Sequence, residues 1–180
     1  MPFIYSPSED SYLLSYILKK SIPVLLEDKP NLIFLEIGTG SGIHLETALS
    51  SGIKKENIFS CDMDQKSVDH CKHLGFHCIK SDLFEKIVGK FDLIVFNPPY
   101  LPENKFDKKK DTSGGKEGNE VILKFLKQAK GHLKDKGKIY LLISSLTPKI
   151  NFNEFGYKGK LLGNEKLFFE ELCVWELEKT

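Results

Sequence analysis

The tetrapeptide Asn97-Pro98-Pro99-Tyr100 follows the apolar run of residues 91–96, and its groups suit one kind of chemistry. A planar NH2 group, such as a glutamine amide or the amine of adenine, attacks electrophiles poorly, so it needs orientation more than a base. The side-chain carbonyl of Asn97 and the backbone carbonyl of Pro98 can accept both of its hydrogens. The prolines stiffen this arrangement, and Tyr100 offers a flat face. The motif predicts methylation of such a nitrogen; the alternative is two prolines that merely end a strand.

A ligand-binding motif lies upstream. Residues 32–37 form an apolar run with one acid, which is typical of a strand buried in a parallel sheet. The glycine-rich segment 38–42 follows and lets backbone N–H groups approach a ligand before a helix predicted from about residue 43 to 51. Ile43 stands where a dinucleotide fingerprint has glycine or alanine, and Glu36 would repel a pyrophosphate. A carboxylate there suits a ligand with an ammonium group, such as S-adenosylmethionine.

Two further acids follow predicted strands. Asp62 ends the second strand, where an acid can bind ribose hydroxyls. The third strand, near residues 76–79, leads to Asp82 and Leu83, and this pair can bracket an adenine ring. A lone aspartate at a strand end often caps a helix instead. The order of these elements along the chain is the stronger argument for a nucleoside-type ligand.

With these motifs in place, the chain resembles the class I S-adenosylmethionine-dependent methyltransferases that methylate glutamine in peptide-chain release factors. The match is closest to their short archaeal and eukaryotic branch. Four blocks and a weaker fifth carry the resemblance: 7–14, 36–42, 96–100, 114–118 and 168–177. Adenine methyltransferases share the Asn-Pro-Pro-Tyr motif, so the first and fourth blocks are more discriminating.

The resemblance implies roles for individual residues. In the family the first block closes over the cofactor, the second binds its methionine moiety, and Asn-Pro-Pro-Tyr holds the target amide. The implied catalytic set is Asn97, Pro98, Pro99 and Tyr100. The implied contacts of S-adenosyl-L-methionine are Glu9, Asp10, Ser11, Glu36, Gly38, Thr39, Gly40, Gly42, Asp62, Met63, Asp82, Leu83 and Asn97. No metal ligand is implied.

The chain departs from the family in two places. Ser11 stands where the family usually has threonine, which retains the hydroxyl. The segment 146–156 is shorter than the helix that the family normally has there, so part of one sheet face should be thinly covered. His44, just after the glycine loop, is expected on a helix surface.

Alternating helical and strand patterns predict an α/β fold: a Rossmann-like, seven-stranded, mostly parallel sheet with an antiparallel C-terminal hairpin and helices on both faces. We expect a single methyltransferase domain over residues 1–180, in which residues 1–30 form a helical cap over the cofactor site. The first helix should run from Ser6 or Ser8 to about Lys20, with an apolar stripe of Tyr12, Leu13, Tyr16 and Ile17. The later elements are predicted at 65–74 (helix), 91–96 (strand), 120–133 (helix), 138–144, 157–162 and 167–177 (strands).

Composition limits the class of protein. A net charge of +1 with 28% charged residues gives no strong field for nucleic acid. Apolar runs fall short of the ~20 residues that a membrane helix needs, so we expect a cytoplasmic protein without membrane contact. The four cysteines lack CxxC spacing, which favours reduced thiols. A zinc site at Cys71, His73, His77 and Cys78 is a weaker alternative because their spacing is irregular. The polar segment 101–118 is expected to be a lid on the substrate side.

The resemblance also implies partners. That branch works as a heterodimer with a small zinc-binding activator, which pairs with an edge strand and covers apolar surface. The third strand is the expected edge, with Phe76, Cys78 and Ile79 exposed. The implied substrate is a release factor, methylated on the amide nitrogen of the glutamine in its Gly-Gly-Gln loop. The alternatives are an adenine amino group of DNA or RNA, which the near-neutral charge disfavours, and a cofactor-binding scaffold without activity.

Overall fold

The computed structural model describes residues 6–99 and 118–180. The helices within these ranges are α1 (Glu9–Asp28), α2 (Ile43–Ser50), α3 (Gln65–His73) and α4 (Glu120–His132). The strands are β1 (Phe34–Ile37), β2 (Ile58–Asp62), β3 (His77–Lys80), β4 (Phe91–Phe96), β5 (Leu133–Ser144), β6 (Tyr157–Lys166) and β7 (Glu171–Lys179). Two short 3-10 turns occur at Lys55–Asn57 and Phe152–Phe155.

The strands form one sheet in the order β3-β2-β1-β4-β5-β7-β6. The first five strands of the chain pair in parallel, β7 runs antiparallel to β5, and β6 runs antiparallel to β7. The central strands β1 and β4 are buried along their whole length, as their continuous apolar runs predict. The predicted fold class is therefore confirmed, including the antiparallel C-terminal hairpin.

Strand register brings the chemical motifs to one edge of the sheet. Ile37 at the end of β1 pairs with Cys61 of β2 on one side and with Phe96 of β4 on the other. The chain therefore leaves three neighbouring strands at the same level, into the glycine loop, Asp62 and Asn97. The strand order reverses between β1 and β4, and such a switch point is where open α/β sheets bind ligands.

Two apolar clusters hold the helices against the two faces of the sheet. Phe34 of β1 points into a cluster with α1, α2 and α3, whereas the next residue, Leu35, points into a cluster with α4. This alternation follows from the two-residue period of a strand. Beyond the parallel strands, the turn at 152–155 packs on the same face of the sheet as α4, and its Phe152 and Phe155 are partly buried there. Between β5 and β6 the chain thus has this short 3-10 turn in place of an α-helix.

Helix α1 differs from its prediction. It continues to Asp28, past Pro23, and so exceeds the predicted end at Lys20 by two turns. Tyr12 and Tyr16 are 59% and 58% exposed, so their assignment to the apolar stripe was wrong. The buried stripe is formed by Leu13, Leu14, Ile17, Leu18 and Ile22. Among the helices of residues 6–99 and 118–180, α1 included, none is long and apolar enough to cross a membrane.

Strand β5 begins earlier than predicted. Leu133 already pairs with Phe91, and the register then shifts before Lys138 pairs with Leu93. The intervening residues include Lys136, which has a φ of 58°. The sequence from Gly137 therefore marked the regular part of the strand and missed its irregular start. The predicted lid at 101–118 lies outside the described residues except for Gly118.

Candidate active site

The first turn of α1 holds the side chain of Asn97. Asn97 Nδ2 donates a hydrogen bond to Asp10 Oδ2 at 3.0 Å. The other oxygen of Asp10 accepts from the hydroxyl of Ser8 at 2.8 Å and from the backbone N–H of Ser11 at 2.6 Å. This network fixes the plane and the orientation of the Asn97 amide, because a carboxylate can only accept from the NH2 side.

The other end of that amide has an unused acceptor. Asn97 Oδ1 is buried, and no donor in residues 6–99 and 118–180 lies within hydrogen-bonding distance of it. A buried acceptor without a partner costs about 1–3 kcal/mol, which a ligand that donates a hydrogen bond recovers. Pro98 beside it is buried, and Pro99 is half-buried. Tyr100, the fourth member of the predicted catalytic set, lies outside the described residues.

The glycine loop has the backbone conformation that its sequence predicts. Gly38, Gly40 and Gly42 have φ values of 67°, 48° and 79°, in the left-handed region that favours glycine. A Cβ atom on Gly42 would lie 3.2 Å from the sulfur of Cys71, so α2 and α3 could not approach each other as closely. The N–H of Gly40 donates to Asp62 Oδ2 at 2.9 Å and ties the loop to the end of β2.

Glu36 lies buried beneath this loop and is already hydrogen-bonded. Its Oε2 accepts from the hydroxyl of Thr39 at 2.9 Å, and its Oε1 is 2.6 Å from Nδ1 of His44. Burial raises the pKa of Glu36, and the interactions with His44 and Thr39 offset part of that rise. Glu36 therefore organises the loop from below.

His44 was wrongly expected on a helix surface. It is buried on α2, and its Nε2 lies 3.1 Å from the backbone oxygen of Ser11. A carbonyl oxygen can only accept, so Nε2 carries a hydrogen, and a second proton is shared between Nδ1 and Glu36. Burial opposes the charged ring, but the Glu36 carboxylate outweighs it and raises the pKa of His44. The imidazole thus connects α1 with the glycine loop.

The carboxyl ends of β2 and β3 border a cavity of about 180 Å³. It is lined by Met63, Lys80, Ser81, Asp82, Glu85 and Lys86. Asp82 forms an ion pair with Lys124 of α4. Leu83 is buried with a φ of 47°. Of the predicted nucleoside residues, Met63 and Asp82 line this cavity, whereas Leu83 turns its side chain into the core.

Asp62 combines two backbone contacts with partial exposure. Besides Gly40, it accepts from the N–H of Asp64 at 2.8 Å. Burial raises the pKa of Asp62, and the hydrogen bonds from the Gly40 and Asp64 backbone lower it in part. The carboxylate has more lone pairs than these backbone donors use, so it can also accept from a hydroxyl. Glu9, in contrast, is exposed in the first turn of α1.

The edge strand β3 matches its prediction in position and in the exposure of Ile79, but not in the exposure of Phe76 and Cys78. It is the outermost strand on its side of the sheet, and Ile79 is 42% exposed. Phe76 and Cys78 were expected to be exposed, but both are buried in the α1–α3 cluster. Cys78 is the one buried residue of β3, and Phe76 lies two positions before it, so both side chains lie on the inward face. Across the described part of the chain, no group of three His, Cys, Asp or Glu residues is arranged to hold a metal ion.

Two functional contacts escaped sequence reasoning. The contact between Asp10 and Asn97 joins residues 87 positions apart, and a single sequence gives no signal of it. The pairing of Glu36 with His44 spans only eight positions. The sequence did contain a signal for this pair, since a basic residue stands near the start of the helix that follows an acid at a strand end. The glycine loop between them folds the chain back over the strand and brings the two side chains together.

Comparison with known proteins identifies the class of site. The chain matches the methyltransferase small domain family over residues 21–155. It is 36% identical to a provisionally named protein N5-glutamine methyltransferase of Methanocaldococcus jannaschii, over 98% of this chain and 93% of that protein. It is 30% identical to methyltransferase HEMK2 of Mus musculus, over 77% of this chain and 71% of that protein.

A solved structure shares the whole fold. It is the E. cuniculi Mtq2–Trm112 complex, described as responsible for methylating the translation termination factor eRF1. The match has a TM-score of 0.78 at 27% identity and covers 98% of this chain and 99% of the matched chain.

Proposed function

The chain belongs to the methyltransferase small domain family, and on that premise we propose that it methylates the side-chain amide nitrogen of a glutamine in a translation release factor. The methyl donor is S-adenosyl-L-methionine. The acceptor follows from the similarity to a protein N5-glutamine methyltransferase and to the complex that methylates eRF1. The proposed acceptor residue is the glutamine of a Gly-Gly-Gln loop.

The observation that carries the proposal is the state of the Asn97 amide. Asp10 accepts a hydrogen bond from the NH2 group of Asn97, and the buried Oδ1 of Asn97 has no donor within the described ranges. A primary amide that enters this site supplies the missing N–H donor, with the Pro98 carbonyl proposed to accept the second hydrogen. The acceptor nitrogen is then held in one plane, and Tyr100 is proposed to pack against it.

The residues around the glycine loop fit the methyl donor. S-adenosyl-L-methionine, when bound, supplies an electrophilic methyl group. Asp62 keeps free lone pairs for ribose hydroxyls, and the cavity beside Met63 and Asp82 has room for an apolar ring. We propose that Gly38 and Gly40 give backbone access to the amino acid part, whereas Glu36, Thr39 and Gly42 support the loop. Glu9, Ser11 and Leu83 are proposed to complete the site from its borders.

In this proposal the chain promotes the reaction by geometry. The acceptor nitrogen has a delocalised lone pair, and hydrogen bonds to Asn97 Oδ1 direct that lone pair toward the donor side of the pocket. A base is unnecessary before transfer, because the nitrogen becomes strongly acidic once it is methylated and then loses its proton. The buried setting of the Asn97 amide excludes water from the reacting atoms.

We also propose the context in which the enzyme works. Residues 1–180 act as one catalytic domain, with residues 1–30 as the cap over the donor site, and the substrate places the reaction in the cytoplasm. A small zinc-binding activator pairs with the free edge of β3, where Ile79 offers an exposed apolar contact. The similarity to a chain solved in complex with Trm112 supports this partner.

Transfer of radiolabelled methyl from S-adenosyl-L-methionine to three acceptors tests the proposal. The acceptors are a release factor, the same factor with its Gly-Gly-Gln glutamine replaced by alanine, and a mixture of tRNA and DNA, each with and without an activator of the Trm112 kind. We expect label on the intact factor alone. Label on nucleic acid, or equal label on the factor without its glutamine, would contradict the proposed acceptor.

A further inference from the structure

The turn between β6 and β7 presents two adjacent aromatic side chains to solvent. Phe168 is 92% exposed and Phe169 is 85% exposed. Their ring centroids lie 4.6 Å apart with the planes at 79°, an edge-to-face pair. Turn positions usually carry small or polar residues, and exposed phenyl rings contribute almost no burial to folding. Two phenylalanines at this place therefore oppose both the residue preference of turns and the burial of apolar side chains. Such a departure points to a binding role for this turn.

The turn is held in place by the end of β5. Leu167 N donates to Glu170 O at 2.8 Å and closes the turn. Ser145 N donates to the backbone oxygen of Glu171 at 2.8 Å, and Glu171 N donates to the hydroxyl of Ser145 at 2.9 Å. Ser144 adds a hydrogen bond from its hydroxyl to the Glu170 carboxylate. The aromatic pair therefore sits on a braced support, which lowers the entropy cost of binding through it.

The same turn projects from the edge of the sheet that holds Asn97. Phe96 of β4 is level with Leu141 of β5, and β5 continues in that direction to Ser144, which pairs with Leu172 of β7. The turn precedes Leu172 and therefore extends beyond the level of Asn97. Since β7 is two strands from β4, the lateral offset is about 10 Å from the strand spacing. The aromatic pair and the proposed acceptor site thus share one rim.

We propose that Phe168 and Phe169 form a docking surface for the folded protein that carries the acceptor glutamine. This inference rests on the proposed function. A folded protein that inserts one loop at Asn97 must lay the surface around that loop along the carboxyl edge. Among the described residues of that edge, the aromatic pair carries the most exposed large apolar side chains. Aromatic side chains on a preorganised support are frequent centres of protein interfaces. A short peptide that fills only the Asn97 site does not reach the pair.

A comparison of two acceptors tests this docking surface. The Phe168→Ala/Phe169→Ala double variant is assayed with an intact release factor and with a short peptide that contains Gly-Gly-Gln. We expect KM for the intact factor to rise about tenfold, as for loss of an aromatic interface centre, with kcat unchanged. Both parameters for the peptide should stay at the wild-type value. Both side chains are exposed, so the double variant should keep the wild-type melting temperature.

Val88→Ala is the matched control. Val88 is 90% exposed but precedes β4, at the opposite edge of the sheet. Its removal should leave both acceptors unaffected.

Several results would overturn the docking surface. They are an unchanged KM for the intact factor, equal losses with factor and peptide, a change in oligomeric state that identifies a second copy as the occupant, or lost binding of the Trm112-like activator. Transfer by the wild type to neither acceptor would overturn the proposed function and this inference with it. Equilibrium binding of the intact factor to the double variant gives a readout that does not need turnover.

Discussion

The polar side chains at the two ends of β4 differ in whether the fold satisfies their hydrogen bonds. At the amino end, Asp92 accepts from the N–H of Ile33 at 3.0 Å and from Lys134 at 2.7 Å, and Lys29 lies 3.3 Å away. At the carboxyl end, Asn97 has a buried oxygen without a donor in the described residues. The first end satisfies its polar groups within the fold, whereas the second keeps an acceptor for a ligand. An unpaired buried group at the end of an otherwise satisfied strand is therefore a useful sign of function.

The largest expected effect comes from removing that acceptor. Asn97→Ala should lower kcat for methyl transfer about 100- to 1000-fold, as loss of one positioned hydrogen-bonding group does in other enzymes. Affinity for S-adenosyl-L-methionine should fall much less than kcat, because Asp62 and the glycine loop remain. Steady-state kinetics and equilibrium binding measure the two quantities separately. A wild-type kcat for Asn97→Ala would show that the unpaired acceptor at the carboxyl end of β4 has no role in catalysis.

The buried pair beneath the glycine loop should dominate local stability. His44→Ala leaves the Glu36 carboxylate buried without its partner, so we expect the free energy of unfolding to fall by about 3 kcal/mol. His73→Ala, on the exposed end of α3, is the control and should change it little. Urea unfolding curves give both values. Glu36→Gln combined with His44→Ala should recover part of the loss, and a double variant as unstable as the sum of its parts would argue against a coupled pair.

The link between α1 and Asn97 should have an intermediate effect. Asp10→Ala frees the Asn97 amide to rotate, and we expect kcat to fall about tenfold through lost orientation. Asp10→Asn keeps an acceptor for Asn97 Nδ2, so its loss should be smaller. Steady-state kinetics of both variants at saturating methyl donor check this order. Equal kcat values for Asp10→Ala and the wild type would show that Asp10 does not orient the amide.

The smallest effect is expected at the amino end of β4 and depends on pH. Burial would raise the pKa of Asp92, but hydrogen bonds from Lys134 and Ile33 prevail and lower it. The contribution of Asp92 to the free energy of unfolding is therefore complete above the pKa of an aspartate in the unfolded chain, about 3.9. It is lost as the pH falls through the lower pKa of Asp92 in the folded protein. Asp92→Asn should cost about 1 kcal/mol at pH 7. The gap in unfolding free energy should close below about pH 4, and kcat at pH 7 should stay unchanged. A gap that stays constant from pH 7 to pH 3 would contradict the lowered pKa of Asp92.

The features that were predicted correctly from the sequence are those that local residue patterns determine. The apolar runs before Gly38 and Asn97 predicted buried parallel strands, and the paired strands of the C-terminus predicted the hairpin. The three left-handed glycines followed from the same reasoning. Each of these features depends on residues close together in the chain, where periodicity and glycine conformation are informative.

Contacts that tertiary packing decides were missed. His44 reads as an ordinary residue of a short helix, and its burial depends on α1 lying across α2. Tyr12 and Tyr16 satisfy a helical apolar pattern, but the neighbouring positions Leu14 and Leu18 face the sheet instead. Phe76 and Cys78 were placed at an edge strand without knowledge of which face α3 covers. These errors share one cause, since a pattern identifies an amphipathic element but not the rotation at which it packs.

The most direct test of the central claim locates the transferred methyl group. Tandem mass spectrometry of a release factor, after incubation with S-adenosyl-L-methionine and either the wild-type chain or Asn97→Ala, identifies the modified atom. We predict one methyl group on the side-chain amide nitrogen of the Gly-Gly-Gln glutamine with the wild type and none above background with Asn97→Ala. A methyl group at another residue, or equal modification of that glutamine by both proteins, would contradict the account.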